Sequence, residues 1–283
     1  MSTLSYLCIT SYLFSFQLYV TQSLHCGKNI DTFLGELELL SQKSALHGQL
    51  AFIQFYLAPI YNVLWGLKGL DEQVLAPLKV FADNDELRAR AMKEAEPLTL
   101  ELLITVEIMQ SFLFRDMEKV QSMVSVIKKH DDGKDRTVFS SDEHNFYAGL
   151  TACYFARQTR DEDLTAMARN TCDNLGKFMV HSSWNFEHMF LLLKVELHYA
   201  DREVGQAATN YQASINSARS HRMVHEEAIA CELTRYFYHK EQGDEPNPMD
   251  MFKQAHNAYV KWGADKKAKT LLPASGNNGA AVN

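Results

Sequence analysis

Apolar side chains recur along the chain at the three- and four-residue spacing of a helix that buries one face. One such series is Phe186, Met189, Phe190, Leu193, Leu197 and Ala200. A half-buried strand would instead alternate apolar and polar positions. Proline is also missing between Pro97 and Pro246, where a sheet protein would need many turn residues. The pattern therefore predicts an all-α fold.

The same periodicity, read with its capping residues, divides the chain into helices joined by short turns. The predicted helices span 4–24, 30–44, 46–68, 71–81, 85–95, 97–114, 116–130, 142–159, 161–181, 184–200, 203–222, 225–242 and 248–262. Asp161 is a predicted N-cap, and Pro97 stands early in its helix, where its missing N–H costs nothing. Helices joined in this way predict antiparallel hairpins that stack into an α-solenoid.

A degenerate repeat is visible near the C-terminus. The second helix of a tetratricopeptide (TPR) repeat carries a small residue, an aromatic four positions later and another small residue three further on. Ala207, Tyr211 and Ser214 supply this pattern, and Phe252 with Ala255 supplies its latter half. The solenoid is therefore predicted to be TPR-like, with Tyr211 and Phe252 in equivalent positions.

Three regions follow from these patterns. Residues 1–130 are predicted to form degenerate helical hairpins, and residues 131–271 to form TPR-like repeats. Residues 272–283 are small and polar, which predicts a disordered tail. The apolar stretch Leu4–Val20 lacks early basic residues and is interrupted by polar ones, so a core helix is expected rather than a signal peptide or membrane span.

Four aromatic-rich stretches have the spacing of a helix core, although a groove that stacks peptides or bases also remains open. They are Phe52, Phe55 and Tyr56; Phe112 and Phe114; Tyr154 and Phe155; and Tyr236, Phe237 and Tyr238.

Composition limits the partners. The formal net charge is −7, with the two signs interspersed, which argues against nucleic-acid binding and against a polybasic membrane-docking face. Cys8, Cys26, Cys153, Cys172 and Cys231 are scattered and never form a C-x-x-C pair. We expect them to be small buried side chains in a reducing compartment, and therefore a cytoplasmic protein.

One candidate metal motif stands out. Asp131, Asp132 and Asp135 match the DDxxD pattern with which helical prenyltransferases and terpene synthases bind magnesium diphosphate. Gly133 lies inside the motif, which favours an exposed turn, and no second N/D-D-x-x-S-x-x-x-E motif follows. A magnesium-dependent diphosphate enzyme is therefore kept as a remote alternative.

Other catalytic patterns are incomplete. His221 and His225 have zinc-protease spacing but no glutamate general base between them, so surface or capping histidines are expected. The chain lacks G-x-G-x-x-G, D-F-G and G-x-S-x-G, and Gly27-Lys28 lacks the upstream glycine of a phosphate loop. No catalytic, cofactor-binding or metal-binding residue is predicted with these patterns, and no cofactor.

The C-terminal half resembles a known family over about 142–271. In that family the last hairpin runs as H-E-E-A-x-A-x-E-L, an aromatic pair, then A-x-x-A-Y-x-x-W-G-A. The corresponding residues here are His225-Glu226-Glu227-Ala228, Ala230, Glu232-Leu233, Tyr236-Phe237-Tyr238, Ala255, Ala258-Tyr259 and Trp262-Gly263-Ala264. The chain is in this respect similar to the TPR-like region of large signalling proteins that join a Ser/Thr kinase-like domain, an AAA-type ATPase, a GAF domain and a histidine kinase.

The resemblance implies a non-catalytic scaffold that makes protein contacts within or between polypeptides. Kinase and ATPase motifs are absent from this chain, and the Pro246-Asn247-Pro248 turn is longer than is usual in the family. The chain is therefore expected to be either a fragment of a larger gene product or a relic that retains only the solenoid. A free-standing TPR-like adaptor that binds a peptide or partner protein is the main alternative.

Overall fold

The structure, a computed structural model, describes residues 3–69, 84–131, 141–242 and 248–271. Every regular element within these ranges is a helix, so the all-α prediction is confirmed for them. The helices are α1 (Thr3–His25), α2 (Ile30–Leu46), α3 (Leu50–Phe52), α4 (Ala58–Lys68), α5 (Asn84–Glu94), α6 (Pro97–Leu113), α7 (Met117–Asp131), α8 (Ser141–Thr159), α9 (Glu162–His181), α10 (Ser183–Ala200), α11 (Val204–Ser220), α12 (Val224–Gln242), α13 (Pro248–Trp262) and α14 (Asp265–Thr270).

Most predicted helix boundaries agree with these to within a few residues. The predicted helix at 71–81 and the predicted disordered tail at 272–283 lie outside the described residues. The short helix α14 was not predicted, because six residues rich in lysine show no apolar periodicity. Asp161 caps α9 as expected, since its Oδ1 accepts a hydrogen bond from the Leu164 N–H at 3.1 Å.

A short π-helix at Ile53–Leu57 joins α3 to α4, so that the three form one continuous helical run. Pro59 explains its position, because proline has no N–H and its ring clashes with the carbonyl four residues earlier in a regular α-helix. The wider turn moves that carbonyl away, and the Ala58 N–H bonds to the Ile53 oxygen instead. The run Leu50–Lys68 has the length and hydropathy of a membrane span, yet 61% of its most apolar window is buried inside the protein, as in a core helix.

Where its side chains are described, from Tyr12 onward, α1 has one face against the core and one toward solvent. Val20 and Leu24 are buried, and Leu13 and Phe16 pack against the core. The other side chains Tyr12, Phe14 and Tyr19 expose 38–52% of their surface. The expectation of a core helix is therefore confirmed for one face of this part of α1.

Most helices end in the same kind of turn, in which one residue adopts a positive φ. At the end of α10, the Glu203 N–H bonds to the His198 oxygen at 2.8 Å and the Arg202 N–H to the Tyr199 oxygen at 3.2 Å, a Schellman motif. Among the described residues, glycine occupies the positive-φ position four times and other residues five times. The residues are Gly27, Gly48, Gly69, Gly263, Ala95, Arg115, Arg160, Arg202 and Arg222. The shared turn geometry reverses the chain within a few residues.

Packing runs from neighbour to neighbour in the second half and then closes onto the first. Each helix from α8 to α13 packs on the next, and α8 contacts both α6 and α10. At the far end α14 packs against α4, where the Lys68 ammonium lies 2.8 Å from the Asp265 carboxylate. Asn29, between α1 and α2, donates a hydrogen bond to the Lys261 oxygen at 3.1 Å. Helices from the N-terminal and C-terminal parts of the described chain are thus in direct contact.

We expect glycine to stabilise turns in which an exposed arginine has a positive φ. Arg202 is exposed at φ +65°, a conformation that costs L-residues about 1–2 kcal/mol. Arg202→Gly should raise the free energy of unfolding by about 0.5–1 kcal/mol, after allowing for the greater entropy of unfolded glycine. Arg115→Gly is the matched contrast, because the Arg115 guanidinium lies over the Tyr236 ring at 4.8 Å and that contact would be lost. Urea unfolding of both variants checks this, and equal effects would contradict it.

Candidate functional site

The predicted alternative metal site cannot be located in this structure. Asp132 and Asp135 lie outside the described residues, as does the side chain of Asp131, whose backbone ends α7. Within the described part of the chain, no group of three or more histidine, cysteine, aspartate or glutamate residues is arranged to hold a metal ion. The diphosphate alternative therefore stays a prediction.

The densest group of buried titratable side chains lies where α1, α8, α10 and α12 meet. We call it the junction cluster: His25, Glu143, His188, His225 and Glu226. Their side chains expose at most 12% of their surface. His25 is the last residue of α1, Glu143 stands in the first turn of α8, and His225 and Glu226 stand in the first turn of α12. Each of the four helices thus contributes at least one side chain to the cluster.

Two short contacts hold the junction cluster together. His25 Nδ1 lies 2.8 Å from Glu143 Oε1, which joins α1 to α8. His188 Nε2 lies 2.5 Å from Glu226 Oε2, which joins α10 to α12, and His225 Nε2 is 3.8 Å from the other oxygen of Glu226. Since unpaired charges are strongly disfavoured in a protein interior, each contact favours the packing of the two helices that it joins.

His225 also contacts the two chain segments that close the fold. Its ring lies 5.3 Å from the Trp262 ring at the end of α13. On its other side is Gly27, at φ +58°, where an added Cβ would stand 2.1 Å from His225 Nδ1. Only glycine therefore fits between α1 and α2 at this point. The expectation of a surface or capping residue is wrong for His225, which is 4% exposed, and holds for His221, the C-cap of α11.

The environment moves the pKa values of the cluster in different directions. Burial opposes charge on His25, but the hydrogen bond and negative charge of Glu143 outweigh it and raise the pKa of His25 to about 9. Burial lowers the pKa of His225, so this ring is neutral at neutral pH. For Glu226 burial alone would raise the pKa, and His188 and His225 reverse this to a net lowering. A charged histidine and a charged glutamate are thus retained inside the fold.

Two further buried carboxylates are likewise paired with donors from other helices. Glu196 on α10 accepts hydrogen bonds from the Tyr211 hydroxyl at 2.5 Å and from Arg157 Nη1 at 3.1 Å. Glu232 on α12 accepts from the Tyr259 hydroxyl and the Lys267 ammonium, each at 2.8 Å. In both cases the phenol comes from the following helix.

Tyr211 and Tyr259 therefore share one feature, a hydroxyl group bonded to a glutamate of the preceding helix. Phe252, which the sequence pattern paired with Tyr211, is half-buried and packs edge-on against Tyr236. The predicted equivalence of Tyr211 and Phe252 stays a prediction.

The aromatic stretches are confirmed as core, with Phe52, Phe55, Phe112, Phe155 and Phe237 buried. Among the described thiols, Cys153, Cys172 and Cys231 are buried as expected. Cys26 is exposed, so that expectation is wrong for it, because it lies in the solvent-facing turn after α1.

The buried polar groups leave little free space around them. The cavity beside Glu232 and Tyr259 has a volume of about 10 Å³, room for one water molecule and no substrate. In the junction cluster, substrate contact would require the helices to separate, since its side chains are at most 12% exposed. What these groups do in the closed fold is hold helices together and respond to pH.

Family models, curated proteins and solved structures yielded no match to this chain.

Sequence patterns identified part of the junction. His225, Glu226 and Trp262 belong to the motif that carries the family resemblance, and Trp262 is buried at the end of α13, followed by Gly263 at φ +92°, as expected. His25 and Glu143 were missed, as was Lys267, which pairs with Glu232 outside the cluster. A sequence gives no signal that separates a buried charged residue from an exposed one until its partner is known.

Loss of the Trp262 ring should be costly. The ring is 1% exposed and packs on His225, so Trp262→Ala should lower the free energy of unfolding by about 3–5 kcal/mol. Trp184→Ala is the matched control, because that ring is 55% exposed and should contribute less than about 1 kcal/mol. Urea unfolding followed by circular dichroism measures both. Similar effects at the two positions would contradict the packing described.

His25 should make stability depend on pH in the alkaline range. Its pKa in the fold, about 9, exceeds the ordinary value of 6.5. Its contribution is therefore complete below pH 6.5, declines as pH rises towards 9 and is at most about 3 kcal/mol. His25→Gln should flatten the curve of unfolding free energy against pH over this range. His198→Gln, at the more exposed pair with Glu203, is the matched control for loss of a histidine–carboxylate contact, because exposed ion pairs contribute little to stability.

Proposed function

We propose that this chain is a non-catalytic helical scaffold that mediates protein–protein contacts. The observation that carries the proposal is the junction cluster, which pairs α1 with α8 and α10 with α12 and packs Gly27 and Trp262 against His225. A scaffold needs surfaces held in fixed relative positions, and buried ion pairs with partners on different helices supply such rigidity. No cofactor is required for this role.

Regular packing supports a TPR-like arrangement of hairpins as part of the proposal. Helices α8 to α13 pack in chain order, and the paired contacts Glu196–Tyr211 and Glu232–Tyr259 recur in successive helix pairs. In an open solenoid each repeat contacts only its neighbours. Here α14 also packs on α4, so we propose repeats whose end is covered by the N-terminal helices.

The resemblance to multidomain signalling proteins supports a regulatory role in the same class. Residues that carry it, among them His225, Glu226 and Trp262, are those that meet in the junction. We propose that the chain is the helical scaffold of such a kinase- and ATPase-containing protein, working in the cytoplasm. The four described cysteines are all free thiols, which is consistent with a reducing compartment.

A free-standing adaptor would be the same kind of scaffold without the other domains of the signalling protein. Sequencing the transcript beyond both ends of the open reading frame distinguishes the two. Continuation into ATPase motifs upstream and GAF or histidine-kinase motifs downstream supports the signalling scaffold. Stop codons on both sides support the adaptor.

A direct assay tests the proposal against the enzyme alternative. The purified chain, with Mg²⁺ and either ATP or a prenyl diphosphate, should show only background turnover. Asp132→Asn should give the same rate, since the proposed scaffold uses no metal at this motif. A rate above background that falls in Asp132→Asn would replace the scaffold with a metal-dependent enzyme using Asp131, Asp132 and Asp135.

A further inference from the structure

The turn between α1 and α2 meets the last helices along a close contact, which we call the closing seam. Its residues are Gly27, Asn29 and Ile30 on one side and His225, Trp262 and Gly263 on the other. An added Cβ on Gly27 would stand 2.1 Å from His225 Nδ1, and one on Gly263 would stand 3.2 Å from Ile30 Cβ. Because the backbones approach so closely, a shift of the His225 ring displaces one side of the seam.

The His225 ring is surrounded by titratable groups on four helices. On α12 itself, Glu226 Oε1 lies 3.8 Å from His225 Nε2. His188 on α10, His25 on α1 and Glu143 on α8 also act on the charge of the ring. From α13 the ring meets Trp262, which carries no charge. The electrostatic state of the seam is therefore decided within the junction cluster.

Other titratable groups at the border of the cluster are engaged elsewhere or stay neutral in acid. His221 on α11, with its ring 5.9 Å from that of His188, has Glu187 as a neighbour at 3.8 Å. Burial raises the pKa values of the Cys26 thiol and the Tyr147 phenol, so acid leaves both uncharged. Two more border groups are Asp142, which acts on His25, and Lys28, which is paired with Glu36.

The junction cluster has three imidazoles but only two carboxylates. Glu143 lies 2.8 Å from His25 and Glu226 lies 2.5 Å from His188. A protonated His225 would have to share Glu226, and one positive charge would be buried without a carboxylate of its own. The face of Trp262 attracts a cation, but less strongly than water does. A charged His225 is therefore stabilised by leaving the seam for water.

The order of protonation makes His225 the group that acid changes. The pKa of His25 is about 9, so this ring is already charged at neutral pH, whereas burial lowers the pKa of His225. A histidine whose pKa is lowered in the fold contributes fully to stability above its ordinary value of 6.5, and this contribution declines as pH falls below that value.

We infer that the junction cluster is an acid-sensitive switch, in which protonation of His225 opens the closing seam and releases the turn between α1 and α2 from α12 and α13. Helices α8 to α12 stay packed, because the apolar side chains between them do not titrate. The inference concerns the seam itself and does not depend on the proposed scaffold function.

Amide hydrogen exchange of the full chain, followed by mass spectrometry at pH 7.5 and pH 5.5, tests this opening. After correction for the chemical exchange rate, peptides that cover residues 22–34 and 258–264 should lose about tenfold of their protection at pH 5.5. One proton bound over one pH unit below 6.5 gives this factor. Peptides that cover residues 164–175, within α9, should keep their protection.

Variants identify the group responsible. His225→Gln and His188→Gln each leave two imidazoles for two carboxylates, so the loss of protection in acid should fall below about twofold. His221→Gln is the matched control, because it removes an imidazole at the border of the cluster, and it should lose about tenfold as the original chain does. Circular dichroism at pH 7.5 confirms that each variant is folded.

Unchanged protection of the seam in the original chain at pH 5.5 overturns the inference, and this result needs no variant. An equal loss of protection in all helices also overturns it, because that is general acid unfolding. The same holds if the folded His225→Gln and His188→Gln chains respond to acid as the original chain does.

Discussion

The burial of carboxylates is the constraint on which the rest of this fold depends. An unpaired carboxylate in the interior costs several kcal/mol, so each one must be buried together with its donors. Glu196, Glu226 and Glu232 all meet this condition with side chains from other helices. The positions of three glutamates on α10 and α12 therefore decide which helices must come together. Apolar packing drives the collapse, but it tolerates many arrangements that these pairs do not.

The same constraint explains how the chain closes. Lys267 lies on a six-residue helix that would have little stability alone, and its ion pair with Glu232 holds that helix against α12. His25 performs the corresponding task for α1 through Glu143. Gly27 then allows the turn after α1 to approach His225 more closely than any side chain would permit. The closure is thus a set of polar contacts around one aromatic packing core.

The distribution of charge also bears on function. The buried charged groups are bound to one another, which leaves them to fix the helices in place. Toward solvent, the turn between α9 and α10 presents the apolar side chains of Phe178, Val180 and Trp184. Exposed apolar groups outside a core that is fixed by ion pairs are consistent with the proposed scaffold.

Much of the helical architecture was determined by the sequence alone. Apolar residues with helical spacing, Asp161 as a cap and Gly263 after Trp262 are local signals, because backbone hydrogen bonds and side-chain periodicity act over a few residues. The tertiary structure decided the junction cluster, the hydrogen bonds of Tyr211 and Tyr259 to glutamates of the preceding helices, and the burial of His225 and Lys267. These features depend on contacts between distant parts of the chain. His25 and Glu143, for example, are more than a hundred residues apart in the sequence. The sequence does not distinguish a charged residue that faces water from one that faces a buried partner, because the partner is brought close only when the helices assemble.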